Sequence, residues 1–429
     1  MAYGNIDYNG ERYYLSLTMF SPNEQKSFSN IKPEDCSSLN PDSVEDLQIV
    51  HDLTNPILTG SLKYTDNELD TVGKYINEPY TYILICFAKQ KEDKDSENII
   101  LDQEHKFTHL FLVNKSNIIS KEKNKVIYSF DLISEKWWNF NCNIQYSTKG
   151  QTKPLSTIFN DLFSLVGLKF QTNGKATSSS IIYLASANDS LATAYNYLSS
   201  KLYTPEALLD GLNFIIYDHK NDIYELFKMS DNEPFKKYNG NSFVDALYIN
   251  NTNTFINELV SDSSTKISLA NHKSMTDNTR SLFEYNKWIY DYNTNEFKKI
   301  NVKTKQTIDN FMLGWSGYTP KYFDFNNISS KAISKSTSPM LFRLEECKWF
   351  NHINQYNNII GNFINNNIVI VNTTGDLRRK PGNPTTLEID SSDKSSLSSL
   401  GGSWINLRTR HIISSKSYRN NIMLGRIYK

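Results

Sequence analysis

The chain has 429 residues, with lysine plus arginine and aspartate plus glutamate balanced at 46 each. Its length exceeds what one hydrophobic core usually serves, and its net charge excludes bulk attraction to nucleic acid or an anionic membrane. Four cysteines, Cys36, Cys86, Cys142 and Cys347, form no CxxC pair, which excludes a disulfide-stapled scaffold and fits a reducing compartment.

No apolar run approaches the ~20 residues of a membrane-spanning helix. The N-terminus lacks the basic start and apolar stretch of a secretory signal. The chain is therefore expected to be soluble, with no membrane insertion of its own, and made in the cytoplasm. Aromatic residues make up 13%, mostly Tyr and Phe, and Asn-rich patches such as INNNIVIVN sit among β-branched residues, a mixture that favours sheets with polar turns.

The first third reads as strands. Val126, Tyr128, Phe130 and Leu132 alternate with polar positions and share one face. NPILTGSLKY, YTYILICFAK and FTHLFLV follow the same rule, and KQKEDKDSEN is a charged hairpin loop between two of them. The period then changes. In KPLSTIFNDLFSLVG, Leu155, Ile158, Phe159, Leu162, Phe163 and Val166 recur at helical spacing, with Pro154 at the first turn and Gly167 placed to stop it. A second helix is predicted to start at an Asn188–Asp189 cap and to bury Leu191, Ala194, Tyr195 and Leu198. Thr204 and Pro205 open a third, short one. LNFIIYDHKNDIYELFKM reads as a hairpin.

Residues 231–355 show no clear period. Order returns at IIGNFINNNIVIVN, passes the turn-rich TTGDLRRKPGNP, and continues through TTLEI, SWINLRTRHII and YRNNIMLGRI as four strands. The fold class expected is mainly β with a smaller α+β part: two tube-like antiparallel β-barrel domains with a helix and hairpin insertion. The boundaries are 1–150 for the first barrel, 151–235 for the insertion, 236–355 for a connecting or decorating region, and 356–429 for the second barrel, with part of 236–355 as a possible addition.

No constellation points to catalysis. His105 and His109 have the spacing of two zinc ligands on a helix, but in a strand residues four apart lie roughly 13 Å from each other. GWSG at 314–317 brings its second glycine one residue early for a nucleophile elbow and reads as a turn beside Trp315. Neither a phosphate loop nor a dinucleotide turn is present. Glu345 and Glu346 are adjacent, so on a strand they point to opposite faces and read as surface charges. Trp137, Trp138 and Phe140 have the composition of a sugar- or base-stacking platform, but buried aromatics closing a strand end are the commoner use of such a group and the reading preferred here. No cofactor and no metal are expected.

The last stretch, GGSWINLRTRHIISSKSYRNNIMLGRIYK, would place Trp404, Asn406, Arg408 and Arg410 on one face and Ile405, Leu407 and Thr409 on the other, before His411 starts a run toward Tyr418. Its serines and histidine have no acidic third member for a triad. Charge is unevenly spread. Residues 21–78 hold eleven acidic residues and four lysines, and residues 394–429 hold seven basic residues and no acid. The basic end of one subunit is therefore expected to pack near the acidic start of the next in a ring, with Arg408, Arg410, His411, Arg419 and Arg426 at the subunit interface.

The order of these parts resembles the central hub proteins of bacteriophage tails and baseplates and the related hubs of contractile injection machines. The residues that carry the resemblance are NPILTGSLKYTD with the strands to Ile133, PLSTIFNDLFSLVGLKF, TPEALLDGLNFIIYD, and the last seventy residues. The family closes on a Gly and Pro-Gly turn, a G-x-W strand, a His-containing strand and a last strand ending in Arg. The matching positions are Gly375, Pro381, Gly382, Gly402, Trp404, His411, Tyr418 and Arg426.

The resemblance implies a structural virion protein; some hubs or their spikes carry a cell-wall-degrading domain, but no segment here reads as an inserted lysozyme or peptidase, so no enzymatic activity is expected. It implies a homo-oligomer, a trimer in preference to a hexamer, that joins the tail tube to a spike or tail tip. The tape-measure protein would be a further partner, and DNA would meet the chain only in transit. The location implied is the virion tail, after assembly in the host cytoplasm. A carbohydrate-binding, adhesin-like β protein is the alternative, and a glycan or peptidoglycan hydrolase on β domains is a weaker one.

Overall fold

The computed structural model describes residues 4–22, 36–67, 72–91, 100–172, 180–199, 213–228, 245–249, 266–271, 285–291, 296–302, 338–341, 368–389 and 402–425, apart from positions 9, 77, 79, 123, 124 and 187. The first β region consists of β1 (Gly4–Tyr8), β2 (Glu11–Phe20), β3 (Cys36–Leu39), β4 (Val44–Asp52), β5 (Asn55–Asp66), β6 (Tyr82–Lys91), β7 (Ile100–Glu122) and β8 (Lys125–Ser134). Next come α1 (Lys136–Asn141), β9 (Lys153–Pro154), α2 (Leu155–Leu165), β10 (Phe170–Thr172), β11 (Ser180–Ile181), α3 (Leu191–Ser199), β12 (Asn213–Asp218) and β13 (Ile223–Lys228). Short strands β14 (Asp245–Ile249), β15 (Lys266–Asn271), β16 (Tyr285–Asp291), β17 (Glu296–Val302) and β18 (Ser338–Leu341) occupy the stretch without a readable period. The chain closes with β19 (Ile368–Thr374), β20 (Pro384–Ile389), β21 (Gly402–Ser414) and β22 (Ser417–Gly425).

The architecture is mainly β, as the composition implies. Fourteen strands form one curled sheet whose main path runs β1-β2-β6-β7-β8-β5-β4-β21-β22-β19-β15, with β3 on β2 and β14 joined through β20 to β21. The ladders are antiparallel except β14 with β20. The sheet curls far enough that β1 lies against β22. Bulges in β7 between Val113 and Lys115 and between Ile118 and Ser120 add the local twist that lets such long strands curl.

The alternation in β8 performs as its period requires. Val126, Tyr128, Phe130 and Leu132 are buried and join one large core with Leu15, Leu17, Leu62 and Ile85.

The helical layer extends that core. α2 buries Leu155, Ile158, Phe159, Leu162 and Phe163. It ends where Gly167 takes φ +77°, while Leu168 N–H donates to Phe163 O at 2.9 Å and Gly167 N–H to Ser164 O at 3.0 Å. Together these form a Schellman motif, which needs a residue free of Cβ crowding in the left-handed region. Phe163 packs edge-on to Phe140 and tilted against Phe170 and Tyr224, at centroid distances of 5.7, 5.2 and 4.9 Å.

In α3 the predicted face is buried: Leu191, Ala194, Tyr195 and Leu198. Its cap is Ser190, whose Oγ accepts from Thr193 N–H at 3.2 Å. Asp189 instead accepts from Ser186 N–H at 2.7 Å. The hairpin β12–β13 forms in register, with β10 added in parallel to β13. The expected helix at Thr204–Pro205, GWSG at 314–317, and Glu345 and Glu346 lie outside the described residues. Trp137, Trp138 and Phe140 sit on α1, immediately after β8, with Phe140 buried and Trp138 exposed.

The two β regions meet through β21, a join that nothing local in the sequence announces. Its first residues, Gly402–Ile405, pair with β20 over Leu387–Pro384, and Arg408–Ile413 pair with Asp52–Leu47 of β4. The register shifts between Asn406 and Arg408, and the Leu407 carbonyl inside the shift accepts from Leu53 N–H at 2.8 Å. A bulge therefore divides the last hairpin. Beyond it, Ile413 and Tyr418 enter the core of the first β region. Before it, Trp404 joins Leu247, Val369, Val371, Leu387, Ile422 and Leu424 in a second core.

Candidate assembly site at the final hairpin

The bulge corrects the expected faces of β21. Trp404, Ile405, Asn406 and Leu407 are all buried, so alternation fails there. It resumes past the bulge with Thr409, His411 and Ile413 buried and Arg408, Arg410 and Ile412 turned the other way. His411 is thus an interior residue, 1% exposed, which removes it from the surface a neighbouring subunit can touch. Arg408 already has a carboxylate from its own chain: Nε and Nη2 reach Asp52 Oδ2 at 2.6 and 2.5 Å. That pair realises within one chain the complementarity expected between subunits. Arg410 Nε is enclosed and has no hydrogen-bond partner among the described residues. Arg419 is exposed on β22, and Arg426 lies outside the described residues.

The glycine and proline positions form the turn that locks the hairpin. Gly375 N–H donates to Tyr418 O at 3.0 Å, and a Cβ on Gly375 would fall 2.2 Å from Tyr418 Cδ1, so only glycine admits the ring. Tyr418 is fully buried against Phe87 and Tyr13, at centroid distances of 4.8 and 5.2 Å. Burial, then the neighbouring Tyr13, pushes its phenol well above the ordinary value. Gly382, at φ +84°, donates from N–H to Asn406 O at 2.7 Å, and Asn406 N–H returns a bond to Asn383 O at 3.0 Å. Pro381 is buried beside them. Gly402 opens β21 at φ +110°, and Trp404 is the large anchor of the second core.

Three polar residues complete the lock, and sequence reasoning missed them. Asn420, fully buried, accepts at Oδ1 from Asp376 N–H at 2.6 Å and from Arg379 Nη1 at 3.0 Å. This fixes its amide so that Nδ2 donates to His411 Nδ1 at 2.9 Å. The imidazole proton is thereby left on Nε2. Arg379 also donates to the Thr374 carbonyl. Burial raises the Asp376 carboxyl, but the hydrogen bonds and charge of Arg378 outweigh it and hold the group below its usual range. The only hint in the sequence was an aspartate and two arginines inside a Gly- and Pro-rich turn.

Between this turn and the first β region lies a polar cleft of about 260 Å³ bordered by Glu11, Lys89, His105, Asp376 and Arg378. Its charges are matched: Lys89 contacts Glu11, and His105 Nδ1 is 2.9 Å from Asp102. His105 and His109 both lie on β7. His109 turns inward to Ser134 Oγ at 2.8 Å and lies 3.3 Å from Glu135.

No protein-family model matches the chain, and no curated protein matches it. Solved structures do. The 43 kDa tail protein of prophage MuSo2 from Shewanella oneidensis is similar over 96% of this chain and 98% of its own, at 9% identity and a TM-score of 0.52. The tail protein from Neisseria meningitidis MC58 is similar over 96% of each chain, at 8% identity and a TM-score of 0.50. Likeness at this identity is likeness of fold, and the fold of this chain is one that phage tail proteins use.

Proposed function

We propose that the chain is a structural component of a phage tail, acting as the hub ring that joins the tail tube to the spike or tail tip and surrounds the channel for DNA. The observation that carries this reading is the curled sheet serving two cores through one shared hairpin, in a fold that runs almost end to end along a prophage tail protein. In this reading each of the two β regions supplies one edge of the ring. Three copies then present six, which suits a junction between six-fold and three-fold parts. The expected partners are further copies of the chain, the tube protein and a spike or tail-tip protein, with the tape-measure protein in the lumen. The reading assigns the chain no reaction of its own.

Native mass spectrometry of the purified chain, alone and mixed with tube protein from the same phage, tests it. A trimer, or a ring formed on tube protein, is expected. A stable monomer that ignores tube protein and is retained on a glycan column would replace this reading with the adhesin-like one. Peptidoglycan turnover abolished by one carboxylate substitution would replace it with the hydrolase.

A further inference from the structure

Three histidines from distant parts of the chain meet inside the molecule. His51 on β4 is buried. Its ring lies 5.2 Å from that of His219, in the turn between β12 and β13, and 5.5 Å from that of His411 on β21. Phe107 of β7 closes the group, 6.2 Å from His51 and 5.2 Å from His219. A fourth, His109, is 6.0 Å from Phe107 and 5.6 Å from Tyr217. His51 Nε2 and His219 Nδ1 are enclosed and have no hydrogen-bond partner among the described residues. The void beside His51 measures about 10 Å³, room for a single water at most.

The charges around the group favour neutral rings. Lys380 acts on both His51 and His219, and Lys220 adds to it at His219. Arg379 acts on His411, opposed by Asp376. Asp218 faces Lys380 at 3.6 Å, and Asp52 is held by Arg408, so neither carboxylate is free to receive an imidazolium. His109 differs, because Lys136 opposes its charge while Asp222 favours it and Glu135 is within 3.3 Å.

The three rings are not equally able to move apart. His51 pairs with Thr409, and His411 with Ile49, across the β4–β21 ladder. Separating them means breaking the sheet. His219 sits in a hairpin turn outside that sheet, so it is the element that yields.

We propose that this cluster is an acid-operated clasp: as pH falls below neutrality, the turn carrying His219 lifts off β4 and β21 and frees the β12–β13 hairpin while the curled sheet stays folded.

The sign follows from burial. Desolvation, with the positive charges of Lys380 and Lys220 acting the same way, holds the His219 imidazole down at about 3 in the closed form, against about 6.5 when released. The closed form is favoured in full above about 6.5 and loses ground as pH falls toward 3, because the open form binds more protons. Releasing one such imidazole shifts the opening equilibrium on the order of 30-fold between pH 7.5 and 5. Ordinary carboxylates titrate below this window.

Amide hydrogen exchange on the full chain, stepped from pH 7.5 to 5 and corrected for intrinsic rates, tests the clasp. Peptides covering 213–228 are expected to lose protection at least tenfold more than peptides covering 82–91 and 405–413. His219→Phe, which keeps a ring without a titrating group, is expected to flatten that response. Equal loss in all three peptides, or an unchanged pH response in His219→Phe, overturns the proposal. If the phenylalanine variant does not fold, the wild-type comparison of the three peptides still decides between the outcomes.

Discussion

At its base the final hairpin buries Trp404, Ile422 and Leu424 in a small apolar core with Val369, Val371 and Leu387. Toward its tip it sends Thr409, His411, Ile413, Tyr418 and Asn420 inward, where rings pack among hydrogen-bonded polar groups. Burial at the base is non-directional, so it supplies stability but tolerates several arrangements. The network at the tip is satisfied in one arrangement only: Asn420 must meet Asp376, Arg379 and His411 together. The difference teaches that base and tip divide two tasks. The base adds free energy, and the tip fixes how the second β region sits on the first.

The largest effect is expected at the base. Trp404→Ala should cost about 3–5 kcal/mol, as removal of a large buried side chain does, read by urea unfolding. Because base and tip lie on one hairpin, the loss should appear in a single transition that moves as a whole. Two separated transitions would show the cores to be independent and break the comparison. At the tip, Gly375→Ala drives a Cβ into the Tyr418 ring and should cost about 1–3 kcal/mol. In a Tyr418→Ala background the same substitution should cost less, and a double-mutant cycle with no coupling would deny that the close approach matters. Asn420→Ala removes the acceptor of the Asp376 N–H and one of the two acceptors of Arg379 Nη1, which keeps the Thr374 carbonyl, at about 2 kcal/mol. It should also weaken amide protection in the turn at 375–383 more than at Trp404.

The elements legible in the sequence were those with local causes. α2 declared itself by period, by Pro154 and by Gly167, and β8 and the β12–β13 hairpin by alternation around a polar turn. The Gly375, Pro381 and Gly382 turn was visible as composition, but its purpose was not, since Tyr418 lies more than thirty residues on. Pairing of β4 with β21 joins segments separated by most of the chain. A one-residue bulge at Leu407 parts the buried Trp404 and Asn406 from Arg408 and Arg410, which strict alternation places on one face. The histidine cluster draws on β4, β21 and a hairpin turn, so no spacing could reveal it. The one local trace was a histidine set beside apolar β-branched residues, as in Val50–His51 and His411–Ile412–Ile413.

The smallest effect sharpens what the basic end of the chain is for. Arg408 is 42% exposed at its side chain and Asp52 16%, so solvent screens their pair and Arg408→Glu should cost under about 1 kcal/mol. The exchange Arg408→Glu with Asp52→Arg should recover part of that loss, less whatever the Thr54 bonds to Asp52 contribute, and 0.5 M salt should shrink the difference between variants, because screening at about 4 Å weakens exposed pairs. A charge spent on its own chain is a poor candidate for holding the next one. Arg408→Met should therefore leave the assembly state of the chain, read by native mass spectrometry, unchanged. A change of assembly state in Arg408→Met would return Arg408 to the proposed subunit interface and make its bridge to Asp52 a property of the isolated chain.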